Sequence, residues 1–65
     1  MYQSRTKLKR EKAVMLAILT EKYASEYFEG MAKRASSEDG AKMYRELADE
    51  EKGHVKELEA VLKTM

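Results

Sequence analysis

The 65-residue chain contains no cysteine, no proline and no tryptophan, and only three glycines. Without cysteine it can form no disulfide, no thiolate zinc site and no iron–sulfur cluster. The lack of proline and the abundance of good helix formers favour long helices, and no alternating β-rich run predicts a strand. A chain this short forms at most one small domain with a marginal core. Its stability must therefore draw on a metal, on a partner chain, or on both.

An excess of charge of one sign is also missing, because 13 Lys and Arg residues face 12 Asp and Glu residues. A net charge of +1 gives no electrostatic case for nucleic acid as a partner. Basic residues cluster at the start of the chain, which is typical of a solvated helix end. The alternative for this local cluster is a nucleic-acid or acidic-surface role, and its members are Arg5, Lys7, Lys9, Arg10 and Lys12.

The longest apolar run, residues 13–19, follows this basic stretch as in a signal peptide. No small-residue cleavage site comes after it, and the run is too short to span a membrane. We therefore expect a cytoplasmic protein with no membrane partner.

Two helices are predicted, at about residues 5–35 and about residues 37–64. The one break is the polar segment 35–40, where Ser37 can cap the second helix and Ser36 is an alternative cap. A connection this short between two long helices forces an antiparallel hairpin. The predicted fold is therefore a single all-α domain.

The second helix carries a stripe at alternating steps of three and four residues, the repeat of a core-facing surface. Its members are Tyr44, Leu47, Glu51, His54, Leu58, Val61 and Met65. The only histidine of the chain lies on this stripe, three residues after Glu51. An imidazole and a carboxylate one helical turn apart are suited to bind one metal ion. The spacing alone is a weak signal, because 10 of the 65 residues are glutamate.

The first helix has a stripe of its own, and Glu21 interrupts it as Glu51 interrupts the second. Its members are Val14, Ala17 or Ile18, Glu21, Ala24, Phe28, Met31 or Ala32, and Ala35. Both glutamates lie about 15 residues from the turn, which is roughly 22 Å along either helix. They should therefore face each other at one height. In the alternative, a rotated stripe through Leu16, Leu19 and Tyr23 leaves Glu21 on the surface.

One hairpin offers three side-chain ligands and leaves apolar flanks exposed, predicted to include Ile18, Leu19, Tyr27, Met43, Val55 and Leu62. Pairing two hairpins forms a four-helix bundle with four glutamates and two histidines. That donor set belongs to bundles that hold two iron or manganese ions, and zinc also suits it. We therefore expect a homodimer or a higher homo-oligomer. Glu50, four residues before His54, is a possible second-shell partner that would orient the imidazole.

Residues 21–32 resemble the first helix of a rubrerythrin or ferritin-like half, with Ala24 three and Phe28 seven residues after the glutamate. The second helix is similar as well: an aromatic residue at 44, Leu-Ala at 47–48, Glu-x-x-His at 51–54 and an aliphatic residue at 55. The likeness covers roughly residues 14–62. Family members usually carry two hairpins and often Tyr where Phe28 stands, and rubrerythrins proper add a cysteine-ligated iron domain. A single hairpin resembles the encapsulated ferritins.

The resemblance implies a ferritin-like four-helix bundle built from two chains around two irons per dimer, with manganese or zinc as alternatives. Glu21 would be a terminal ligand, Glu51 a bridging carboxylate and His54 a terminal nitrogen ligand. The implied activity is oxidation of Fe(II) by dioxygen or peroxide, for iron storage or peroxide detoxification. Two other functions fit the residues: a metal-free hairpin that serves as a structural or protein-interaction module, and a metal carrier or sensor without turnover.

Overall fold

The computed structural model describes the backbone of residues 2–65 and the side chains from Arg5 onward. Helix α1 spans Tyr2–Arg34 and helix α2 spans Glu38–Thr64, with no strand among these residues. The longest extent of the molecule is 55 Å, close to the roughly 50 Å length of a 33-residue helix. The two helices therefore lie side by side as an antiparallel hairpin. The predicted bounds differ by up to three residues, because α1 already begins at Tyr2.

The turn between the helices is organised by Ser37, which is the N-cap of α2. Its hydroxyl accepts a hydrogen bond from the Gly40 N–H at 3.1 Å, and its carbonyl accepts one from the Ala41 N–H at 3.0 Å. Glu38 and Asp39 occupy the first turn of α2, where negative charge stabilises the helix dipole. Of the two serines that the sequence offered as caps, Ser37 takes the role.

Replacing this cap should weaken the hairpin measurably. We expect Ser37→Ala to lower the free energy of unfolding by about 1 kcal/mol, because it removes the only side-chain acceptor for the Gly40 N–H. Chemical denaturation followed by circular dichroism measures the change. Ser36→Ala is the matched control, since Ser36 is exposed and does not cap the helix. Equal losses in the two variants would contradict the assignment.

The hairpin buries little. Among residues 5–65 only four are buried, Ile18, Ser25, Ala48 and Val55, and the shortest dimension of the molecule is 9 Å. The chain exposes 5501 Å², whereas a compact monomer of its mass would expose about 4,250 Å². The prediction that Ile18 and Val55 belong to exposed flanks is wrong, because each packs between the helices. Leu19, Tyr27 and Met43 are exposed as predicted.

The two flat sides of the hairpin differ in character. Side chains advance by about 100° per helical residue, so one flat side collects the charged pair Glu29 and Lys52, whose Oε1 and Nζ atoms are 2.6 Å apart. The hydrogen bond from Lys52, together with its charge, lowers the pKa of the Glu29 carboxyl, and Glu29 raises the pKa of Lys52. Both side chains are exposed, so the pair contributes little to stability. We call this side the charged side.

The opposite flat side, which we call the open side, carries mainly small and apolar residues. It comprises Ala13, Ala17, Ala24 and Met31 of α1 and Met43, His54 and Val61 of α2. Of these, Met43 and Val61 are about half exposed. In residues 2–65 neither helix has a stretch long and apolar enough to cross a membrane.

Candidate metal centre

Glu21 reaches the space between the helices from α1. It lies one turn from Ile18 and one turn from Ser25, both buried against α2. The Ser25 hydroxyl donates to the Lys22 carbonyl at 2.8 Å, so this buried polar group is satisfied within its own helix. The rotated stripe that would place Glu21 on the surface is wrong, since its members Leu16, Leu19 and Tyr23 are 66%, 65% and 71% exposed.

Glu51 enters the same space from α2, in a matching local setting. It lies three residues after Ala48 and four before Val55, and both are buried. Its own side chain is only 20% exposed. Each helix thus places one carboxylate between two buried residues that hold the backbone close to the other helix.

His54 lies at the edge of the hairpin and not inside it. The sequence places His54 and Val61 on the core-facing stripe, but their exposures are 51% and 48%. Ala48 and Val55 are buried instead. Steps of three and four residues mark a stripe that is wider than one partner helix covers. Helix α1 covers one margin of the stripe and leaves His54 at the other, on the open side.

The three predicted ligands nevertheless meet. The Nδ1 atom of His54 lies 3.5 Å from Oε2 of Glu21 and 3.8 Å from Oε1 of Glu51. One ligand atom from each residue falls within 4.8 Å of the other two. Two carboxylates from facing helices and one imidazole therefore converge on a point at the margin of the open side.

One of these atoms is buried without a hydrogen bond, and the His54 imidazole at 3.5 Å is its nearest ion-pair partner. This atom is Oε2 of Glu21. A buried carboxylate oxygen without a hydrogen bond is costly unless a cation or a donor compensates it. Its neighbours are a second carboxylate and an imidazole nitrogen, which is a donor set that binds iron, manganese or zinc. The residues present therefore fit a metal ion better than they fit a closed protein core.

Glu50 does not join this cluster. It is exposed, and the side-chain hydrogen bonds and ion pairs of residues 5–65 include none between Glu50 and His54. Its predicted role in orienting the imidazole stays a prediction.

From the sequence we did not predict the part played by Ser25, Ala48 and Val55, although a signal was present. Each lies three or four residues from a glutamate, which is the spacing of neighbours on one helix face.

Aromatic rings pack between the site and the turn. Phe28 stacks on Tyr44 with the ring centroids 6.3 Å apart, and Tyr27 meets Phe28 edge-on at 5.8 Å. Phe28 and Tyr44 each lie seven residues from a cluster glutamate, Glu21 or Glu51, on the turn side. The stacked pair fixes the two helices relative to each other beside the cluster.

The family model Rubrerythrin matches residues 12–65. The chain belongs to the rubrerythrin family. No curated protein and no solved structure matches it. The matched range contains Glu21, Glu51 and His54 together with the turn between the helices, so the family is established over the segment that builds the cluster. The rubrerythrin family is one of di-iron proteins, and iron is therefore the first metal to consider for this site.

Proposed function

We propose that two copies of this rubrerythrin-family chain pair through their open sides and bind two metal ions, normally iron, between them. We further propose that the pair oxidises Fe(II) with dioxygen or peroxide. The observation that carries this proposal is the convergence of Glu21, Glu51 and His54 on one point, with a buried glutamate oxygen left without a hydrogen bond.

The incompleteness of the cluster supports a second chain. Three side chains leave coordination positions of an iron ion open, and among the residues that the structure describes no further carboxylate or histidine joins the cluster. A two-fold axis through the open side would bring a second cluster next to the first. The combined set of four glutamates and two histidines matches that of dinuclear carboxylate bundles. In this arrangement the half-exposed His54 side chain faces the second copy, because the second copy packs on the open side.

The composition of the open side supports the same pairing. Alanines on α1 allow close approach of another helix, and Met43 and Val61 on α2 supply apolar surface. A monomer gains nothing from leaving such residues in water. Packing them against a second hairpin closes a four-helix bundle and surrounds the cluster with protein.

A pair of iron ions supplies two electrons, the number that converts peroxide to water. The residues of this chain would bind and place that pair. Glu51, the more buried carboxylate, would serve as the ligand that the two ions share. Glu21 and His54 of each chain would both bind a single ion. The alanines and Val61 would exclude bulk water from the open side.

The experiment is metal analysis of the purified chain together with its mass in solution. We expect two Fe or Mn ions per two chains after anaerobic loading, and a light-scattering mass of at least twice 7.5 kDa at micromolar concentration. Fe(II)-loaded protein should consume peroxide or dioxygen faster than free Fe(II) does, and absorbance of the ferric product follows that reaction.

Three results would contradict the proposal in different ways. A 7.5 kDa monomer that binds two ions tightly would rule out the shared site. A dimer that binds no iron, manganese or zinc would favour the metal-free interaction module. Tight binding without faster oxidation would leave a carrier or sensor and remove the enzymatic part of the proposal.

A further inference from the structure

A second apolar surface runs along the flank of α1 that is turned away from the open side. At its inner margin, Met15 and Leu19 line a shallow apolar groove together with Ile18 and with Leu62 of α2. At about 100° per residue the members of this surface fall within one narrow sector of the helix. We call it the outer stripe, and it consists of Leu8, Lys12, Met15, Leu19, Tyr23, Glu26 and Gly30. Its apolar members are among the most exposed in the chain, from 53% at Leu8 and Met15 to 71% at Tyr23.

Pairing through the open side does not cover this surface. In a four-helix bundle each helix contacts two neighbours on adjacent sides. For α1 these are the side of Ile18, which faces α2, and the side of Ala17 and Ala24, which faces the open side. Leu19 and Tyr23 point to the outer corner of such a bundle. Large apolar side chains at that corner would stay exposed to water in the two-chain bundle, which is unfavourable.

We propose that the outer stripe is a second interface, on which the outer stripe of another copy of the chain docks in the antiparallel direction with Leu19 on the two-fold axis. The chain then has two different self-complementary surfaces. Each is isologous, so the assembly contains four chains or a larger even number.

Charge and size complementarity carry the proposal. With Leu19 opposite Leu19 of the other copy, Lys12 faces Glu26, Met15 faces Tyr23 and Leu8 faces Gly30. The one cation of the stripe thus meets its one anion. Gly30 has no side chain, so it leaves room for Leu8 of the other copy. Moving one copy by a helical turn places Lys12 against Gly30 in one direction or against Tyr23 in the other. Only the register centred on Leu19 pairs both charges.

The exposed area is larger than one interface covers. The chain exposes 5501 Å², about 1,250 Å² more than a compact monomer of its mass. A standard interface covers about 800 Å² on each partner. One interface on the open side therefore leaves about 450 Å² of the surplus exposed. Of the six large exposed apolar residues of α1 in the described part of the chain, four lie on the outer stripe, and Leu16 and Tyr27 lie beside it.

Disulfide trapping tests the register directly, because the natural chain has no cysteine. Leu19→Cys should cross-link to itself under mild oxidation, with more than half of the chains in covalent pairs of twice 7.5 kDa. Met15→Cys and Tyr23→Cys should each remain mostly uncoupled alone. Mixed together they should form the mixed disulfide, which mass spectrometry identifies by its mass. Glu59→Cys, exposed on the charged side of α2, is the matched control and should not cross-link.

A mass measurement separates this interface from the metal-sharing one. We expect the unmodified chain to have a mass of at least four chains in solution, and Leu19→Lys to reduce it to two while keeping the same metal content per chain. The Leu19→Cys cross-link should also persist when His54→Ala is added. Cross-linking of Leu19→Cys no faster than Glu59→Cys, or equal coupling of Met15→Cys with itself and with Tyr23→Cys, would overturn the proposal. Loss of metal binding with an intact four-chain mass would instead contradict only the proposed function.

Discussion

The His54→Ala variant should lose tight Fe(II) binding while its helical content stays close to that of the parent. His54 is the only histidine of a chain without cysteine, so no other residue can supply an imidazole or a thiolate ligand. Its side chain is 51% exposed and lies at the margin of the hairpin, so truncation removes little packing. Removing an outer-shell partner of a metal typically costs 10–100-fold in affinity. Removing a direct ligand should therefore weaken binding by at least about a hundredfold.

Anaerobic titration with Fe(II) gives the affinity, and circular dichroism gives the helical content of the same samples. Glu59→Ala is the control, because it also removes an exposed polar side chain from α2 but lies on the charged side, away from the cluster. It should bind iron like the parent. If His54→Ala also binds and oxidises iron like the parent, the metal centre does not involve His54.

The hairpin and the height of the two glutamates were predictable from the sequence. A single polar break at residues 35–37 between long helix-forming segments allows only one topology. Glu21 and Glu51 are equally far from that break, so the rigid rise of a helix brings them level. Their ligand atoms indeed lie within 4.8 Å of each other and of His54.

The sequence did not show which residues of the stripe on the second helix would be buried against α1 and which would stay exposed. A repeat of three and four residues states that a helix has one apolar face, but not which margin of it meets the first partner. The packing of α1 and α2 decides this, and it buries Val55 while leaving its neighbour His54 exposed. Helix α1 likewise carries apolar residues on three sides, toward α2, on the open side and on the outer stripe. Periodicity alone does not show which of these sides packs against α2.

Glu21→Leu should make the chain more stable than the parent in the presence of a chelator. Without metal the parent holds a buried Glu21 oxygen that has no hydrogen-bond partner. Leaving a buried polar atom unsatisfied costs about 1–3 kcal/mol, and the 30% exposure of this side chain places the cost toward the lower end. Leucine removes that cost and adds apolar contact beside Ile18. We expect a gain of about 1–2 kcal/mol, or about 5–10 °C in Tm for a domain of this size.

Thermal unfolding of both proteins at matched chain concentration, with chelator and with Fe(II) or Mn(II), measures this gain and its loss. Metal binds only the folded assembly, so it should raise the Tm of the parent by mass action, while Glu21→Leu should respond far less. Glu59→Leu places the same side chain at an exposed position on α2. It should show no gain in chelator and a metal response like that of the parent. If Glu21→Leu is neutral or destabilising in chelator and the parent does not respond to metal, Glu21 carries no metal-compensated charge and the two-metal site has to be abandoned.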